Sequence, residues 1–158
     1  MFLTFCQKLI FWVSILFFTL PAQATVTLIE DLSFGTIVVS DNSVVSDIII
    51  SRAGQTSIVN HIRVIEPGHP AEFALTDLPG NLEVFTSAVI TQATTSNPPP
   101  APATEQFTIS SPDIVASVTT NGSGFALVRV GATLSTSGNG GNYVDVQYQG
   151  TLQVTFNY

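Results

Sequence analysis

Between Val144 and Tyr158 the even positions read Val144, Val146, Tyr148, Gly150, Leu152, Val154, Phe156 and Tyr158, while the odd positions read Asp145, Gln147, Gln149, Thr151, Gln153, Thr155 and Asn157. A period of two held over this length predicts an extended strand across residues 143–158, with one apolar and one polar face. Gly150 breaks the apolar row, which predicts a bend, a bulge or a closely approaching backbone there. Fully burying Leu152, Val154 and Phe156 is worth roughly 1.5–3 kcal/mol each, a large share of a domain stability of about 5–15 kcal/mol. Leu152, Val154, Phe156 and Tyr158 are therefore assigned to the core face of a closing strand.

Upstream, short alternating runs are separated by turn residues, and helix signals are nearly absent after residue 24. Val26, Leu28, Leu32 and Phe34 share one parity, interrupted by Ile29 and the acidic pair Glu30-Asp31, so the first strand is expected to end or kink near Gly35. Asp41-Asn42-Ser43 predicts a turn, and residues 44–50 form a β-branched run suited to a central strand. A turn at residues 52–55 precedes a strand through Ile58, Ile62 and Val64, which Pro67-Gly68-His69-Pro70 ends. Phe73 and Leu75 point inward from the next strand; Leu82, Val84, Ala88 and Ile90 carry another. Residues 91–104, with Pro98-Pro99-Pro100 and Pro102, are expected to be a long exposed loop of polyproline character. Further strands are expected at residues 106–110, 114–120 and 125–134, with a Gly-rich loop at 135–142 before the closing strand. About nine strands at spacings of roughly 8–12 residues indicate an all-β fold, a single immunoglobulin-like or pilin-like antiparallel β-sandwich, rather than alternating βαβ units.

The first residues form a targeting pattern. A short segment carrying Lys8 precedes an apolar run over residues 9–20, and Pro21-Ala22-Gln23-Ala24 ends in an A-x-A pattern, so residues 1–24 are expected to be a cleaved secretory signal peptide and residues 25–158 the β-sandwich domain. The apolar run is shorter than the roughly 20 residues that span a bilayer, so no membrane insertion is expected after cleavage. The expected address is the periplasm, the cell surface or the extracellular space. Cleavage removes the only Cys, Cys6, so an exported domain without disulfides must rely on packing and sheet hydrogen bonds. It also removes Lys8 and leaves Arg52, Arg63 and Arg129 against the chain's 11 acids. A surface so poor in cations has little with which to neutralise phosphates, which argues against nucleic acid and anionic lipid headgroups.

Several motifs carry a resemblance. Leu32-Ser33-Phe34-Gly35-Thr36-Ile37, Pro70-Ala71-Glu72-Phe73-Ala74-Leu75-Thr76 with Leu78-Pro79-Gly80, Val130-Gly131-Ala132-Thr133-Leu134, and the run from Gly150 to Tyr158 together resemble the family of exported bacterial domains known as domain of unknown function 4402. The resemblance covers nearly all of residues 25–158. It implies a β-sandwich similar to fimbrial subunits and spore-coat-U-like domains of Gram-negative envelopes, with strand exchange between identical or related subunits and a periplasmic chaperone as the implied partners. The chain departs from the usual fimbrial subunit in lacking a disulfide and in ending its last strand on Tyr158 itself.

No catalytic, cofactor or metal site is expected. His61 and His69 lie on a strand and in a Pro-Gly turn without ligand spacing, no Ser sits in a G-x-S-x-G setting, and Glu30 and Asp31 project to opposite faces of a strand. The first expectation is a non-enzymatic structural subunit in which the N-terminal strand of one copy adds to the next, with Val26, Leu28 and Leu32 as the strand-exchange segment. Set against it is the plainer possibility that the same segment is simply the first strand of its own sandwich. A second expectation is a monomeric adhesin-like binding module presenting its long loops, although all three Tyr fall in the closing strand and no aromatic platform for a sugar is evident. A third is a small outer-membrane barrel, since Phe156 and Tyr158 resemble the terminal signal of such barrels; several strands are shorter than the roughly 9–11 residues a barrel requires.

Overall fold

The computed structural model describes residues 24–96 and 105–158. Among them there is no helix, and every ladder is antiparallel. The strands are β1 (Thr25–Glu30), β2 (Thr36–Val39), β3 (Asp47–Ile50), β4 (Thr56–Val59), β5 (Ile62–Glu66), β6 (Ala71–Thr76), β7 (Glu83–Ser96), β8 (Thr108–Asp113), β9 (Ser117–Thr119), β10 (Ala126–Ser135) and β11 (Gln149–Asn157). Nearly all of the expected leader and the proline run lie outside the described residues.

Strand β10 joins the fold together. Its inner row Ala126, Val128, Val130, Ala132 and Leu134 is at most 5% exposed, while Leu127 and Arg129 face solvent, the period-two pattern of a strand with one dry face. The first half of β10 pairs with β6, from Ala126↔Leu75 to Val130↔Ala71. Its second half pairs with β3, from Ala132↔Ile50 to Ser135↔Asp47, and with β8. The change of neighbour falls at Gly131, where any Cβ would overlap the Ile50 carbonyl oxygen and the backbone of Ser51 and Arg52. Only a residue without a side chain lets the end of β3 approach β10 so closely.

Two apolar clusters result. In one, Leu75, Ala126 and Val128 from the β1–β6–β10 layer meet Val84 of β7, with Val118 of β9 and Phe156 of β11 packed alongside. In the other, Ile48, Ile50 and Leu134 meet Ile62 and Phe107, and the small β2–β5 sheet contributes Ile37, Val39 and Val64 as its cover. Strand β7, 14 residues long, ties the layers: its first residues pair with β9, β11 runs along it from Phe85 to Ser96, and Thr94 near its end pairs with Thr108 of β8.

There are eleven strands rather than about nine because one expected strand divides and a further strand, β2, forms beyond the expected end of the first. Strand β1 ends at Glu30, short of the expected end near Gly35, and β2 starts just after Gly35, where φ is +78°, to pair with β5. At Asn60, φ is +61°, and the expected strand through Ile58 and Val64 becomes β4, paired with β3, and β5, paired with β2. The run at residues 44–50 is a strand only from Asp47. The expected loop at 91–104 begins as strand: β7 continues to Ser96, because the buried Thr95 is pinned by Phe107, whose backbone N–H donates to Thr95 Oγ1 at 2.8 Å and whose carbonyl accepts from the Thr95 N–H at 2.8 Å.

The closing strand is shorter than its pattern. It begins at Gln149, because Tyr143 and Tyr148 fold back onto Phe107, stacked at 4.2 Å and edge-on at 4.9 Å. Their hydroxyls stay satisfied: Tyr143 Oη accepts from the Ser137 N–H and donates to the Gln106 carbonyl, and Tyr148 Oη bridges the Val144 N–H and carbonyl. The aromatic payload of this stretch is thus buried by a loop rather than by a continued ladder.

Replacing Gly131 with Ala should lower stability by roughly 1–3 kcal/mol, since a rigid backbone has to yield to the new methyl group. A denaturant titration reads this directly, and an unchanged midpoint would contradict the close approach described here.

Candidate assembly interface

Among the described residues, the N-terminal strand β1 forms one margin of the main sheet, pairing with β6 only. Its ladder runs Thr25↔Thr76, Val26↔Leu75, Thr27↔Ala74 and Leu28↔Phe73, then slips by a bulge so that Glu30 faces Glu72. Residues opposite one another share a face, so Val26 and Leu28 lie on the side of Leu75 and Phe73, toward the core. Yet Leu75 is 1% exposed while Val26 and Leu28 are 45% and 49% exposed. The opposing layer accounts for the difference. Phe156 of β11 packs edge-on against Phe73 with ring centroids 5.7 Å apart, and the cover ends there, leaving β1 overhanging.

All six side chains of β1 are exposed. The strand is therefore retained chiefly by its backbone ladder and by its two ends. At the start, Ala24, the last residue of the expected leader, packs against the Leu75 cluster in the uncleaved chain. At the exit, Ser33 and His69 exchange both backbone hydrogen bonds, at 3.0 and 2.9 Å, and His69 Nδ1 lies 3.5 Å from Glu30 Oε1. Glu72, opposite Glu30, is paired with Arg129 Nε at 2.7 Å.

The expected exchange segment is not one row. Val26 and Leu28 share the inner face of β1, but Leu32 lies beyond the bulge and packs, half-buried, against the Ile48–Ile50 cluster with Phe34. Parity alone placed the three together, and the chain's departure from the sheet at Glu30 separates them.

Among the described residues, strand β11 forms another margin, pairing with β7 only. Leu152, Val154 and Phe156 alternate as half-buried positions with exposed Thr151, Gln153, Thr155 and Asn157. Tyr158 departs from its assigned core face: the ladder ends at Asn157↔Phe85 and Tyr158 is 62% exposed. Around Gly150 the register shifts twice, and a Cβ there would overlap Ile109 Cδ1, so the interruption in the apolar row marks a bulge fitted over a side chain.

A separate polar feature was not legible in the sequence. Asn42, only 7% exposed, donates through Nδ2 to Ser137 Oγ, Asn139 Oδ1 and the Gly141 carbonyl, and its Oδ1 accepts from the Gly138 N–H. It organises the Gly-rich loop and one wall of a polar hollow of about 240 Å³ lined by residues 39–42 and 140–143. At its rim the Ser43 N–H and hydroxyl hold the Asp41 carboxyl below its ordinary 3.8. His61 Nε2 lies 4.0 Å from Asp41 Oδ2. Among the described residues there is no group of three or more His, Cys, Asp or Glu that could hold a metal ion.

Leu28→Ala should cost about 1 kcal/mol or less, whereas Leu75→Ala, its near neighbour on the same face, should cost roughly 2–5 kcal/mol. Equal losses in a denaturant titration would mean that β1 is part of the core after all.

The family model described as Domain of unknown function (DUF4402) matches residues 24–158. No curated protein and no solved structure matches the chain.

Proposed function

The chain belongs to the domain of unknown function 4402 family, and from that premise we propose that it is an exported, non-enzymatic structural subunit of the bacterial envelope, whose copies join by β-strand pairing. The observation that carries this reading is β1: an edge strand with all six side chains exposed, apolar or hydroxyl from Thr25 to Ile29, and paired on one side only among the described residues. Native edges are usually blunted by charge, proline or cover, and here Thr25 to Ile29 carries none of these charges. An identical strand from a second copy offers β6 the same ladder in the same register, so exchange replaces every hydrogen bond it breaks and uncovers little apolar surface. Identical or related subunits are the partners this fits, with a periplasmic chaperone to shield the edge before assembly. The export part of the reading rests on the leader pattern of residues 1–24.

A second reading, a monomeric binding module, draws on the polar hollow organised by Asn42, whose carbonyls and amides suit a small polar ligand. The membrane-barrel reading draws no support from the buried rows, which are largely Ile, Val, Leu and Ala where a water-filled barrel carries polar side chains.

The register supplies a direct test. Thr27 and Ala74 are directly opposite, at a spacing that antiparallel pairs share with disulfides, and the sole native Cys, Cys6, lies in the expected leader. A Thr27→Cys, Ala74→Cys variant, oxidised after export and run without reductant on a denaturing gel, is expected to give a ladder of covalent multimers that reductant collapses. Monomers locked only within themselves would show that β1 stays in its own sandwich.

A further inference from the structure

We propose that the outer margin of β1 is a contact between two copies of this chain, at which β1 pairs antiparallel with β1 about a two-fold axis through Thr27. The proposal rests on the strand-pairing reading in taking a second copy as the partner, and it concerns the side of β1 that β6 leaves free. That side stays free whichever copy supplies the strand beside β6, so exchange along a fibre and this contact between fibres do not compete.

The other free margins are blunted by devices that natural sheets use. Strand β11 shifts register twice around Gly150, and the small β2–β5 pair shifts once. Strand β9 is three residues long; β4 is four, and just beyond its end Asn60 is left-handed, with its amide donated to the Val45 carbonyl. From Thr25 to Leu28, β1 carries no charge, no proline and no bulge.

The alternation of β1 selects the register. Opposite residues of an antiparallel pair share a face, so the inner rows of two copies align only when the axis passes through a residue. About Thr27, Val26 lies opposite Leu28 of the second copy, and Leu28 opposite its Val26. The two rows that overhang at 45% and 49% exposure thereby cover one another from the side. On the outer face Thr27 meets its own mate, a hydroxyl pair suited to a ladder, and Thr25 meets Ile29, itself 55% exposed. An axis through Leu28 sets Val26 against Glu30, and one through Val26 leaves Leu28 beyond the first residue of the second copy once the expected leader is removed.

Charge favours the same register. After leader removal Thr25 carries the free amino group, a cation below about pH 7.7–8.0, and the axis through Thr27 brings it beside Glu30 of the second copy. Glu72, opposite Glu30 in its own sheet, is already matched by Arg129 at 2.7 Å. The two Glu30 positions stand about 20 Å apart, beyond the screening length of about 8 Å at physiological salt. A ladder this short buries less than the about 800 Å² per partner of a stable interface. The contact is therefore transient between single subunits and gains strength where exchange has aligned many of them.

Single cysteines in the exported chain test the register, the sole native Cys, Cys6, lying in the expected leader. At Thr27 the axis sets the two Cα atoms about 4.5–5.5 Å apart, within disulfide reach; at Ile29 they are about 13 Å apart, beyond it. Under mild oxidation Thr27→Cys is expected to give a covalent dimer and Ile29→Cys none, although both positions are exposed. In the otherwise unaltered chain, Thr27→Glu sets two carboxylates face to face and should abolish concentration-dependent dimer in sedimentation, while cooperative unfolding is retained. Absence of dimer from Thr27→Cys, equal dimer from both cysteines, or undiminished dimer in Thr27→Glu would overturn the proposal. One cysteine yields dimers but no ladder, so failure here leaves the covalent-ladder test of exchange standing, and a failed ladder leaves this dimer readable.

Discussion

Ten residues of β10 have to complete two apolar clusters and satisfy three neighbouring strands, and the rest of the architecture follows from how that demand is met. The inner row from Ala126 to Leu134 feeds both clusters, so they share one backbone and cannot loosen independently at this strand. The switch of partner from β6 to β3 takes place within one residue, which is possible because Gly131 presents no side chain to the Ile50 carbonyl. Buried backbone groups need partners throughout, and at this crossing the antiparallel ladders supply them on both sides of the switch.

That spine also explains why β1 differs from its neighbours. Strand β6 is fixed by β10 on one side and covered by Phe156 through Phe73. One strand further out the cover is gone, and Val26 and Leu28 project from the correct face over too little opposing surface to be buried. The energetic result is a strand with a full backbone ladder and a weak side-chain contribution, in contrast to Leu75 one position inward. Such a strand is held in place yet adds little to the core, the combination that exchange between copies calls for. The charges at its exit fit the same picture, since the pairings there involve only its last residues and leave the sandwich untouched.

Much of this was legible in the chain. The all-β architecture, a strand over residues 125–134 and the interruption at Gly150 follow from period-two patterning and from glycine placement. What was not legible depends on contacts far apart in sequence. Tyr143 and Tyr148 carry the parity of the closing strand, but Phe107 offers them a better burial than the ladder does. Leu32 carries the parity of Val26 and Leu28, but a bulge sends it to the other cluster. Asn42 reads as an ordinary turn residue, and only the fold reveals the loop around residue 139 wrapped about its amide. The pairing of Glu30 with His69 and of Glu72 with Arg129 likewise requires the register of β1 on β6, which no local pattern encodes.

The claim on which the account depends is that β1 is separable from the sandwich it borders. The most direct measurement is the thermal unfolding and solution mass of an exported chain lacking Thr25 to Glu30, compared with the full chain. A separable strand predicts a cooperative transition at a modestly lower temperature and loss of multimers, with the near-ultraviolet signal of the Phe107, Tyr143 and Tyr148 cluster intact. A truncated chain that shows no cooperative transition would mean that β1 is integral to its own core, and strand pairing between copies would have to be abandoned.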